Sequence, residues 1–148
     1  MNIRRAETPE DLDVMGKMAA RFATESQFVK VNPALPRHSY WPMVESGIAA
    51  VFMLEHEGIA VGGLGCIKFP DLHSGTLTAV ETFWYVDPDH RGHGLALFEA
   101  YEHWAIENGC QMIAMIHMVD SMPDVLERFY KRRGYQLVEK HYMKEIKP

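Results

Sequence analysis

The chain has 148 residues, the size of one ordinary domain, and a single domain over residues 1–148 is expected. A hydrophobic fraction of 47% and a charged fraction of 24% match globular proteins and exclude disorder and fibrous habits. No apolar run reaches the roughly 18 residues of a membrane helix, and the net charge of −5 argues against a nucleic-acid partner.

The charge is unevenly spread. Residues 128–147 hold seven basic and two acidic residues, a local excess of +5 that leaves −10 for the rest. That end suits either a phosphate-bearing ligand or a solvated helix face. Cys66 and Cys110 lie far apart without CxxC spacing, and the eight histidines show no HxxxH or HExxH pattern, so neither a disulfide framework nor a metal site is expected. Arg4 and Arg5 are followed by no apolar core of a signal peptide, which makes cytoplasmic residence the default expectation.

Residues 2–6 read as a short strand. Thr8, Pro9 and Asp11 then supply an N-cap hydroxyl, a proline at the first helical position and an acid three residues after the cap. The apolar stripe of Leu12, Met15, Met18, Ala19 and Phe22 carries that helix to about Ala23. Residues 24–39 contain Pro33 and Pro36 and lack a sustained period, so they read as a loop, followed by a short helix over 40–46. Residues 49–56 and 59–69 form an expected hairpin about Glu57 and Gly58, and 76–86 an expected β-branched and aromatic strand ending at Asp87 and Pro88.

Past the turn at His90 to Ala96, Leu97, Tyr101, Trp104 and Ala105 mark one face of a helix that closes at Asn108 and Gly109. Residues 111–119 read as an apolar strand interrupted only by His117. A second capping pattern at 121–124 opens a helix with Val125, Leu126, Phe129 and Tyr130 on its buried face, Gly134 ends it, and 135–146 is a last expected strand. The order βααβββαβαβ describes a mixed α/β, or α+β, domain with a strand, glycine turn and helix at its centre.

That central unit carries the chemistry. Glycines at 92 and 94 let backbone approach a ligand closely, and the following helix N-terminus adds about half a positive charge. Such a turn suits a diphosphate. The pattern is neither GxGxxG nor a P-loop, and antiparallel strands precede it, which disfavours both parallel-sheet motifs.

Arg91-x-His93-Gly94-x-Ala96, preceded by Tyr85-Val86-Asp87-Pro88, resembles the Arg/Gln-x-x-Gly-x-Gly/Ala signature of the GNAT superfamily, the Gcn5-related N-acetyltransferases. Phe129-Tyr130-Lys131-Arg132-Arg133-Gly134-Tyr135 is similar to that family's Phe-Tyr-x-x-x-Gly-Phe/Tyr element, at the expected separation. One departure is Pro123, where the family often has asparagine. The resemblance implies a GNAT-like fold, with a central, mostly antiparallel mixed sheet of six to seven strands flanked by about four helices.

It also implies acetyl-CoA as cosubstrate and a primary amine of a small molecule or peptide as acceptor. Backbone groups of Trp84, Tyr85 and Val86 would pair with the pantetheine arm, and the turn Arg91, Gly92, His93, Gly94, Leu95 and Ala96 would hold the pyrophosphate. Lys131, Arg132 or Arg133 would meet the 3′-phosphate, with Arg133 taken forward, and the Tyr130 phenol would face the thioester sulfur. A protonated alkylamine must lose a proton before it attacks, so a base is needed, and Glu81 and His117 are the candidates. Each has a plainer alternative: Glu81 as an edge-strand acid or ion-pair partner, His117 as a hydrogen-bonded core residue, and Phe129 and Tyr130 as core aromatics.

The acceptor is expected over the first helices and their loop, where Phe28, Tyr40, Trp41, Phe83 and Trp84 stand as aromatic candidates and His73 lies in a nearby turn. The acidic balance outside 128–147 suits a cationic acceptor. A non-catalytic acyl-CoA-binding or interaction module on the same fold is the other open reading, and homodimerisation is left open.

Overall fold

The computed structural model describes residues 1–147. They fall into two compact units, Met1–Ile116 and the segment from His117 onward. The first unit holds a five-stranded sheet of β1 (Asn2–Arg5), β2 (Ala49–His56), β3 (Ile59–Pro70), β4 (Leu77–Val86) and β5 (Met112–Ala114) in that spatial order. Neighbours pair antiparallel except β4 and β5, which run parallel.

Helices cover both faces. On one side lie α1 (Pro9–Phe22) and the short pair α2 (Leu35–Ser39) and α3 (Trp41–Glu45), which meet at Tyr40; on the other lies α4 (Gly94–Glu107). Residues Ala49 to Leu54 of β2 are therefore all buried, because the strand is sandwiched, and that explains its unbroken apolar run. Odd-numbered Val51 and Met53 join Leu12, Met15 and Met18 of α1, whereas Ala50, Phe52 and Leu54 join Leu97, Tyr101, Trp104 and Ala105 of α4. The stripe read on α4 is thus its buried face. At the start of α1 the Thr8 amide donates to the Asp11 carboxylate at 3.3 Å, as the capping pattern requires.

The second unit holds α5 (Pro123–Arg132), preceded by Met122 in the left-handed region at φ 44° and closed at Gly134 with φ 85°.

Four expectations are corrected. The sheet has five strands rather than six or seven. The strand expected over 111–119 is only Met112–Ala114, paired with Thr78 to Val80, because the next amide in reach, that of Ile116, is taken by a side chain of β4 instead of the ladder. Among the described residues no strand follows Ala114: residues 135–147 carry strand-like composition without ladder pairing, and Leu137, Val138, Tyr142, Met143 and Ile146 are exposed. The loop expected over 24–39 also contains α2, since Pro36 falls within the first turn of a helix, where its missing N–H costs nothing. No helix among the described residues is long and apolar enough to cross a membrane.

Candidate functional site

The site of the first unit is built on β4. Its antiparallel ladder with β3 runs from Pro70 opposite Leu77 to Gly62 opposite Val86, but the register skips one residue: Gly65 faces Phe83, while Cys66 faces Glu81. Thr82 is the extra residue of a β-bulge. Without it, alternation would put Glu81 on the same face as Phe83 and Tyr85. The bulge instead turns Glu81 to the α4 face with Trp84 and leaves Thr82 on the α1 face with Phe83.

The bulge coincides with the end of the parallel ladder, whose last pair is Val80 and Ala114. Beyond it β5 parts from β4, and Glu81 spans the opening, its Oε2 accepting the Ile116 N–H at 2.9 Å. Glu81 is only 5% exposed. Burial pushes its carboxyl up to about 7, with the Ile116 amide opposing that rise by stabilising the charged form. A group of that strength is matched to proton transfer near neutral pH.

Further along β4 the Asp87 amide donates to the Val61 carbonyl at 2.8 Å, so the alternation of an antiparallel ladder points the backbone groups of Tyr85 and Phe83 toward β3 as well. Those of Trp84 and Val86 point the opposite way, to the edge that β5 has left. This is the geometry an added extended chain needs.

The strand then enters a 3-10 turn, Pro88–His93, and α4 begins at Gly94. A side chain added at Gly92 would meet nothing within 4 Å, so the turn's outer surface is open at that position. Gly94 plays a different part: a Cβ there would lie 3.4 Å from the Val86 side chain and 3.5 Å from the Trp84 ring, which is how closely α4 starts over β4. No side chain caps the first turn of α4. The Gly94 N–H donates to the Arg91 carbonyl within the 3-10 turn, and the positive end of α4 has His90, Arg91 and His93 of that turn beside it. An uncapped fourteen-residue helix behind an open glycine turn fits a diphosphate, and the released edge at Trp84 and Val86 fits an amide-bearing arm.

Two ion pairs tie the end of α1 to this turn. Arg21 donates twice to the Asp87 carboxylate, at 3.1 Å each, and Arg91 pairs with Glu25 while its Nε reaches the Val86 carbonyl at 3.4 Å. The Tyr85 phenol also donates to Glu25, at 3.4 Å. Glu25 was not singled out from sequence, and a partner 66 residues from Arg91 leaves no local signal.

The acceptor-side aromatics divide. Phe83, Tyr40 and Trp41 pack with the α1 cluster, and Phe28 is exposed. Trp84 does not join them: it packs on the α4 side, 5.9 Å from the Phe98 ring, because neighbouring strand residues face opposite ways. His73 sits in the turn held by Asp71, whose carboxylate accepts the His73 and Ser74 amides at 3.0 and 2.8 Å. Cys66 is buried, donates to the Ala50 carbonyl at 3.6 Å, and is pushed up to about 12 by burial, so it stays a thiol.

In the second unit Tyr130 is buried and lies at the centre of a ring cluster, 6.1 Å from His117, 5.6 Å from Phe129 and 5.9 Å from Tyr135. His117 lies outside any strand, its Nε2 buried without a hydrogen-bond partner among the described residues. The Arg133 guanidinium stands 5.9 Å over the Phe129 ring. Among the described residues no three histidines, cysteines or carboxylates are grouped to hold a metal.

The Acetyltransferase (GNAT) family model matches residues 19–135, most of the chain and the span that holds the bulge, the glycine turn and α5. The chain belongs to the GNAT acetyltransferase family. Solved structures agree in fold. A transcriptional regulator from Bacillus halodurans superposes with a TM-score of 0.78 at 22% identity, over 98% of this chain and 99% of that one. A predicted acetyltransferase with acetyl-CoA from Clostridium acetobutylicum gives 0.75 at 16% identity, over 97% and 95%. The aminoglycoside antibiotic 6'-N-acetyltransferase from Acinetobacter haemolyticus gives 0.72 at 19%, over 99% and 100%. No curated protein sequence matches the chain. As a GNAT member it is an acetyltransferase by family and shares the mixed α+β architecture of these structures.

Proposed function

We propose that this GNAT protein is an acetyl-CoA-dependent N-acetyltransferase that acts by direct attack of a primary amine, of a small molecule or peptide, in a ternary complex. The observation that carries the reading is the β4 edge released after Val80 and leading straight into the open turn at Gly92 and the uncapped start of α4. The Trp84, Tyr85 and Val86 segment would run beside the pantetheine arm. Backbone donors from Arg91 through Gly92, His93, Gly94, Leu95 and Ala96 would hold the pyrophosphate, and Arg133 would meet the 3′-phosphate.

Acetyl-CoA, when bound, supplies a thioester carbonyl activated for acyl transfer. The Glu81 carboxylate takes the proton that an alkylammonium must lose, a role suited to a carboxyl raised to about 7. The freed nitrogen lone pair forms the new C–N bond, the nitrogen sheds its second proton to solvent as the C–S bond breaks, and the electron pair leaves on sulfur. Tyr130 is assigned the proton that turns this thiolate into a thiol, and His117, its ring neighbour, is the second candidate for proton handling. Names among the similar folds, an aminoglycoside 6'-N-acetyltransferase and a ribosomal-protein-alanine N-acetyltransferase, are compatible with either acceptor class.

Incubation with acetyl-CoA and a panel of amines, following released thiol, tests the reading. Thiol release that depends on an amine supports it. Coenzyme A binding without turnover on any amine favours a non-catalytic acyl-CoA-binding module instead.

A further inference from the structure

We infer that the hydroxyls of Thr82 and Tyr40, meeting at the β4 bulge, receive the acceptor amine as it enters the opening toward Glu81, on an aromatic face that selects amines carried on an apolar body. This rests on the transferase reading and deepens it.

The argument begins with which face of the opening is accessible. At the point where β5 parts from β4, the bulge sends adjacent residues to opposite sides. Glu81 is buried on the α4 side, whereas Thr82 is exposed on the other. A solute approaching the opening from solvent on this unit therefore meets Thr82 first.

Thr82 does not stand alone. Its Oγ1 lies 2.8 Å from the phenol oxygen of Tyr40, the residue at which α2 and α3 meet. Of two hydroxyls so paired, one O–H is spent between them, and the other O–H and the remaining lone pairs stay available. An alkylamine brings both N–H donors and a lone pair, so it satisfies that pair in either protonation state. Burial raises the Tyr40 phenol well above its ordinary value, which keeps it a neutral hydrogen-bonding group rather than a phenolate.

The surroundings of the pair are aromatic. Phe83 lies edge-on to Tyr40 with ring centroids 6.4 Å apart. Its ring occupies the space a side chain at Gly65 would need, since a Cβ there would fall 2.2 Å from the ring and 2.9 Å from Thr82 Oγ1. Glycine at 65 is thus what lets the ring and the hydroxyl sit side by side.

Charge points the same way. Four carboxylates on the helices and turn of this side are engaged by arginine, Glu10 and Asp13 by Arg37, Glu25 by Arg91 and Asp87 by Arg21, while Glu45 of α3 and Asp89 of the turn are exposed. A polycation would have to displace those guanidinium groups, but an amine with a single charge and an apolar body would not. The acidic balance of the sequence, which suggested a cationic acceptor, is offset in part on this side by these pairs.

Steady-state kinetics with 2-phenylethylamine and spermidine test this on the wild-type protein and on Thr82→Val, Thr82→Ser and Tyr40→Phe. Expected are a higher kcat/KM for 2-phenylethylamine, a roughly tenfold rise in acceptor KM for Thr82→Val, near-complete rescue in Thr82→Ser, and a smaller rise for Tyr40→Phe, with acetyl-CoA KM unchanged throughout. Thr82 is exposed, so the valine variant should fold, and its melting temperature checks that it does. Equal or better use of spermidine overturns the apolar selection, and unchanged acceptor KM in Thr82→Val overturns the hydroxyl role, both with acetyl transfer intact. Coenzyme A binding without transfer to any amine overturns the transferase reading itself, and this inference with it.

Discussion

Glu81 reaches across the opening of the sheet to accept the Ile116 amide at 2.9 Å, so one carboxylate both ends the β5 ladder and sits at the proposed site of proton transfer. The two functions separate in Glu81→Gln, whose amide oxygen still accepts from Ile116 but takes up no proton. The wild-type kcat should rise with pH through about 7 and then level off, since only the ionised carboxylate is a base. In Glu81→Gln that limb should vanish and kcat at pH 8 should fall by about 10²–10⁴-fold. A variant that keeps both rate and profile removes Glu81 from the chemistry.

The same group has a stability signature. Its folded carboxyl is raised above the unfolded value, so between about 4.5 and 7 the native state holds more protons than the unfolded one, and stability falls as pH rises through that window. Thermal melts from pH 5 to 8 should show this loss in the wild-type protein and a flatter curve in Glu81→Gln.

Glu25 holds the Arg91 guanidinium that the proposed diphosphate would use. Replacing it with glutamine removes a competing negative charge, and coenzyme A should bind about two- to fivefold more tightly, the size expected of an exposed ion pair. Calorimetry at low and high salt checks this, because the gain should shrink as salt screens the pair.

Tyr130→Phe should lower kcat more than it changes coenzyme A affinity, because the ring cluster with His117, Phe129 and Tyr135 needs only the ring, whereas proton delivery needs the hydroxyl. An unchanged rate would confine Tyr130 to packing.

Gly16, within α1, is fixed by close approach: a Cβ there would lie 2.0 Å from the Pro33 carbonyl oxygen, a backbone atom with nowhere to move cheaply. Gly16→Ala should cost about 1–3 kcal/mol and lower the melting temperature by several degrees.

What the sequence disclosed follows from the range of the interaction involved. The face of α4, the hairpin about Glu57 and Gly58 and the glycine turn rest on periodicity and neighbouring residues, and they stand where the patterns place them. The short β5 was hidden, because an apolar run from 111 onward carries no mark of where a carboxylate 35 residues earlier will take an amide out of the ladder. Thr82 was missed for a related reason: the bulge exists only in the register between Gly65 and Cys66 on the neighbouring strand. Phe83 and Trp84, expected together on the acceptor side, are parted by strand alternation, and which of them faces α1 depends on that same inserted residue. The ion pairs of Arg21 and Arg91, each spanning 66 residues, have no local trace.

A residue inserted outside the pleat's alternation answers to neither core. Changing the side chain at position 82 leaves Glu81, Phe83 and Trp84 on the faces they already occupy, so folding and thioester handling place little demand on its identity. Under the proposed role of Thr82, acceptor preference would thereby be uncoupled from the rest of the domain, and the bulge would be the point of entry for redirecting the protein to a different amine.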